Sequence, residues 1–68
     1  MIKTDKLKGI IVENGLTQME VAKQIGIAPK TFYEKMKNGV FGSDEIQIMI
    51  DILHIEDPVS IFLPESNF

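Results

Sequence analysis

The sequence contains no cysteine and a single histidine. Without thiolates there is no disulfide scaffold and no cysteine metal site, so 68 residues must hold together by packing alone, as suits a reducing compartment. The lone imidazole, His54, has Asp51 and Glu56 near it but no second histidine to complete a metal set or a catalytic constellation. The acids at 44, 45, 51, 56 and 57 lack the alternating spacing of a calcium loop. Gly39 and Gly42 are not followed by the Lys-Ser or Lys-Thr of a phosphate cradle. The expectation is a protein that is not an enzyme and uses neither cofactor nor metal. Long apolar runs are missing too, the longest spanning three residues, as at 10–12 and 61–63. A membrane span needs roughly 18. No signal-peptide apolar stretch opens the chain, so a cytoplasmic location with no membrane contact is expected.

Positive charge is absent from one part of the chain. Residues 41–68 contain neither lysine nor arginine, and Asp44, Glu45, Asp51, Glu56, Asp57 and Glu65 bring that segment to −6. Residues 1–40 hold all seven basic residues, Lys3, Lys6, Lys8, Lys23, Lys30, Lys35 and Lys37, against four acids, which leaves +3 and accounts for the net −3. Binding of a polyanion depends on the local field and not on the molecular sum, so the division suggests one face for a polyanion and another kept away from it. A chance scatter of solvated charges gives the same count.

What is present, 44% apolar and 25% charged residues, suits one small domain over 1–68. The periodicity predicts an all-α, compact bundle of about five short helices. Leu7, Ile10 and Ile11 place a first helix at about 5–14, capped by Thr4 and stopped by Asn14-Gly15. Thr17 and Glu20 form a capping box that starts a second helix at Gln18, with Val21, Ala22 and Ile25 as its buried stripe and Gly26 as its stop. Pro29 suits a first helical position, so a third helix is predicted over 29–37, burying Phe32 and Met36 and ending at Asn38-Gly39. Ser43 is the expected cap of a fourth helix whose stripe is Ile46, Met49, Ile50 and Leu53. Asp57-Pro58 opens a fifth that ends before Pro64, with a frayed tail at 65–68.

Two short helices joined by a tight turn containing glycine make a helix-turn-helix, here about 17–37, whose second member can enter a DNA major groove. Ala22 lies four residues before Gly26, a small side chain where the helices cross and a glycine where the chain turns. Any helical hairpin needs such a pair. At this point the sequence resembles the lambda-repressor-like, Cro-type helix-turn-helix family, and in particular small regulators of Gram-positive phages and prophages. The residues carrying the resemblance are LTQMEVAKQIGIAPKTFYEKMKNG (16–39), FGSDEI (41–46) and the late IEDPVSIFL. One departure stands out: where the family pattern has Glu-x-Gly near the end of the third helix, this chain has Met36-Lys37-Asn38-Gly39. The resemblance implies that Gln18 anchors the DNA backbone, that Pro29, Lys30, Thr31, Tyr33 and Glu34 face the bases, and that Lys37 and Asn38 lie nearer a phosphate.

The side-chain chemistry agrees in part. Lys30 can donate to guanine, Thr31 can offer a methyl to thymine or a hydroxyl to phosphate, and Glu34 can accept from cytosine N4. Equally, the lysines can form an ordinary solvated face, Tyr33 can half-bury its ring, and Glu34 can pair with Lys30 or Lys37. The function expected is a sequence-specific DNA-binding transcriptional regulator of the phage repressor kind. The alternative is a module of the same fold that binds another regulator through its acidic C-terminal half. A single copy reaches one half-site of double-stranded operator DNA, so a homodimer on a pseudo-palindrome is expected. Ile48, Ile52, Phe62, Leu63 and Phe68 are candidates for that contact, or for the seam between helices four and five.

Overall fold

Local start and stop signals divide the chain into helices, and tertiary contacts then decide their final residues. In the computed structural model, which describes residues 2–62, the helices are α1 (Thr4–Glu13), α2 (Gln18–Ile25), α3 (Pro29–Asn38), α4 (Ser43–Ile52) and α5 (Pro58–Phe62). There is no strand among the described residues, so the expected all-α bundle of five helices stands. None of these helices is long and apolar enough to cross a membrane.

The capping box of α2 is complete. The Glu20 amide donates to Thr17 Oγ1 at 3.1 Å while the Thr17 amide donates to Glu20 Oε1 at 2.9 Å. Two other expected caps are corrected. Thr4 is already helical and Lys3 occupies the cap position of α1, because the Lys3 amide is held by the carbonyl of Ile61 at 2.9 Å. Ser43 is likewise the first residue of α4. Gly42 precedes it as cap, and its amide donates to Glu45 Oε1 at 2.7 Å. A carboxylate three residues on fixes this register, since a cap at 43 has only Ile46 at the matching place.

Three helices end in the same way, and a fourth shares part of the pattern. The 6→1 and 5→2 hydrogen bonds of the Schellman turn close α1 (Leu16 N–H to Ile11, Gly15 N–H to Val12), α2 (Ile27 N–H to Ala22, Gly26 N–H to Lys23) and α3 (Val40 N–H to Lys35, Gly39 N–H to Met36). The turning residues Gly15, Gly26 and Gly39 have φ of 71°, 92° and 69°. At α4 the Ile55 amide reaches Ile50 in the same 6→1 bond, but the left-handed position, φ 53°, is held by His54. The Asn38-Gly39 departure from the family pattern therefore gives an ordinary stop, one residue later than expected.

Leu7, Ile11, Val21, Phe32, Met49 and Leu53 are wholly enclosed, joined in the core by Met36, Phe41, Ile61 and Phe62. Phe32 and Phe41 stack at a tilt with ring centres 5.4 Å apart. Asn14 ties two helix ends together, its Nδ2 donating to the carbonyls of Ile10 at 2.9 Å and Leu53 at 3.1 Å. The chain's start closes the bundle, with the Ile2 amide on the Gly39 carbonyl at 3.1 Å and Lys3 on Ile61. Of the residues offered for a dimer contact or for the seam between helices four and five, Phe62 is in the core, Ile52 packs against it and Ile48 is half-buried. Leu63, Phe68 and the tail at 65–68 lie outside the described residues.

Candidate nucleic-acid interface

The pair α2–α3 makes the most extensive helix–helix contact of the bundle. Its close approach depends on Ala22, which is fully enclosed, and on the sharp exit that Gly26 permits. Ile25 and Ile27 flank the turn and pack on the core, leaving α3 braced along Phe32 and Met36.

With Phe32 and Met36 fixing the inward direction, rotation of about 100° per residue sets where every other side chain of α3 stands. Glu34 comes out directly opposite the core. Lys30 and Asn38 lie about 40° from it, Lys37 and Thr31 about 60°, and Tyr33 borders the arc at about 100°. All six are exposed. Tyr33 is 45% exposed, with its ring edge set against Phe32 at 6.5 Å between centres, so it is a partly supported side chain standing out from the surface. Pro29 and Gln18, at the first positions of α3 and α2, are half-buried. Their helix starts present backbone amides and the positive end of the macrodipole, the arrangement that favours a phosphate.

One lysine of α3 does not belong to this face. Lys35 Nζ donates to both oxygens of Glu45, at 2.8 and 3.0 Å, joining α3 to the start of α4. Glu45 is a buried acid, yet its carboxylate accepts from Lys35 and from the Gly42 amide, and no buried side-chain polar atom among the described residues is left unpaired. No pairing of Lys35 with Glu45 is expected from the sequence alone. The spacing of Glu45 from Gly42 was a signal that the glutamate is engaged, whereas its partner ten residues away on another helix had no local signature. Elsewhere, a groove of about 400 Å³ beside α1 and α5 is bordered by Glu13, Glu56 and Asp57 with only Lys6 in opposition, the reverse of the sign on the arc of α3. No group of three or more metal-ligating side chains occurs among the described residues.

No family model matches the chain, and no curated protein or solved structure is significantly similar to it. The resemblance to Cro-type regulators therefore rests on the residues named above.

Proposed function

We propose that this chain is a sequence-specific DNA-binding transcriptional regulator, like the small phage and prophage repressors it resembles, acting in the cytoplasm by inserting α3 into the major groove of operator DNA. The observation that carries the reading is the division of α3. Phe32 and Met36 are locked in the core, while Lys30, Thr31, Tyr33, Glu34, Lys37 and Asn38 make one exposed, hydrogen-bonding arc on a short helix held from behind by α2. A rigid helix with a polar outer face and an adjoining amide-bearing helix start is what base reading and phosphate anchoring require together. In this reading two copies share a pseudo-palindromic site, and among the described residues of the expected dimer contact Ile48 is the one that is neither in the core nor among those packed on it.

The test is fluorescence anisotropy on promoter and scrambled duplexes across a range of salt. Log affinity should fall linearly with log salt, by about 0.9 per phosphate neutralised. Lys30→Ala should cost about 1–3 kcal/mol on the specific duplex and relax one base-pair preference. Lys37→Ala should weaken all duplexes alike and lower the salt slope by about one. Lysine variants that match wild type on DNA, with Glu56→Lys alone abolishing capture of a partner protein, would transfer the function to the acidic half.

A further inference from the structure

An acid sits at the centre of the surface assigned to a polyanion. Glu34 projects directly away from the core-facing residues of α3, it is exposed, and no ion pair or hydrogen bond to Lys30 or Lys37 engages it among the described residues. The contrast with the glutamates at the starts of α2 and α4 is plain: Glu20 is engaged in its capping box and Glu45 by Lys35 and Gly42. A free carboxylate brought up to DNA is repelled by phosphates on both sides, so it belongs there only where it meets a donor.

Resting on the DNA-binding reading, we propose that Glu34 is a specificity-determining residue that selects cytosine at one base pair of the target. The chemistry is narrow. An ionised carboxylate can only accept, and the major groove offers it two base donors, the amino groups of cytosine and adenine. Adenine sets the acceptor N7 beside its amino group, which repels a carboxylate. Cytosine presents its amino group with no acceptor next to it on the same base edge, so the acid fits cytosine. Lys30, one helical turn earlier, supplies the complementary donor for guanine. The separation along the helix of about 6 Å corresponds to roughly two base-pair steps, so a guanine and a cytosine on the two sides of one short stretch are read by two side chains. The acid also lowers the affinity for every duplex that lacks the amino group, which turns a repulsive charge into discrimination.

The test uses the whole chain. A duplex library with a randomised core is selected on the wild-type protein, and Glu34→Gln and Glu34→Ala are then measured by anisotropy on the selected site and on every single-base variant of it. Thermal melts confirm that these exposed changes leave folding intact. Expected is one position at which wild type prefers cytosine by about 5- to 150-fold. Glu34→Gln should move that preference to adenine, because an amide pairs with both N6 and N7. Glu34→Ala should erase it while strengthening binding to unrelated duplexes. A selected site whose preferences are the same for all three proteins overturns the role of Glu34 and leaves the DNA-binding reading standing. A library from which wild type enriches no sequence overturns both.

Discussion

Replacing Glu45 by alanine removes three acceptor contacts at once, and their separate sizes can be worked out. The Gly42 amide loses the partner that it holds at 2.7 Å, a loss comparable to deleting a helix cap, about 1 kcal/mol. Lys35 loses a charge-assisted pair at 2.8 and 3.0 Å, for which about 1.5–3 kcal/mol is the usual range. Its side chain is 33% exposed, against 11% for that of Glu45, so the ammonium regains water and the loss falls to about 1 kcal/mol. The sum, about 2 kcal/mol, is a large fraction of the stability of so small a domain and corresponds to a Tm lower by about 8–16 °C. Glu45→Gln keeps an acceptor for the amide and should cost about half as much. Lys35→Ala combined with Glu45→Ala should show a coupling of about 1 kcal/mol in a double-mutant cycle. Urea unfolding followed by far-ultraviolet circular dichroism at low and high salt measures all of these, and salt should shrink the coupling and spare the amide contribution. A Glu45→Ala protein within about 0.5 kcal/mol of wild type would show that the α3–α4 tie carries no stability.

Three further outcomes test the packing. Ala22→Leu should overfill the α2–α3 crossing and cost about 1–3 kcal/mol by the same unfolding assay, since Ala22 has no exposed surface to expand into. His54→Gly should raise stability by about 0.5–1 kcal/mol, because a histidine pays for its left-handed φ of 53° where the other three stops use glycine. Gly9→Ala should stabilise by about 1 kcal/mol in a thermal melt, as the added methyl lies inside α1 and meets nothing within 4 Å.

The sequence was most legible where a signal is local. Thr17 with Glu20, Pro29 as the first residue of α3, and glycines at 15, 26 and 39 place starts and stops within a few residues of the groups that they satisfy. Thr4 and Ser43 misled for the same reason: both are good caps in isolation, and each was displaced by a neighbour whose amide had found a partner. For Lys3 that partner is Ile61, which no window around residue 3 contains. Ile52 falls outside the stripe of α4 on a helical wheel yet packs on the core, because a wheel records direction within one helix and not what the next helix brings over it. The outer arc of α3 followed directly from the positions of Phe32 and Met36. The pairing of Lys35 with Glu45 did not, since that partner lies on α4.

The two backbone hydrogen bonds at the start of the chain have a consequence for how the molecule opens. Lys3 meets Ile61 across nearly the whole sequence, so closing this loop costs more chain entropy than any local contact and is favoured once the intervening helices are in place. α5, five residues long, is too short to persist alone and depends on Ile61 and Phe62 being held inside. Release of the first residues removes together the contact that Lys3 makes with Ile61 of α5 and, through Ile2, the one on the carbonyl of Gly39 at the exit of α3, so the two are expected to open as one unit. Lys37 and Asn38 stand on the turn just before that carbonyl. In hydrogen-exchange terms, the amides of Ile2 and Lys3 report the same opening that loosens the far end of the arc proposed to meet DNA.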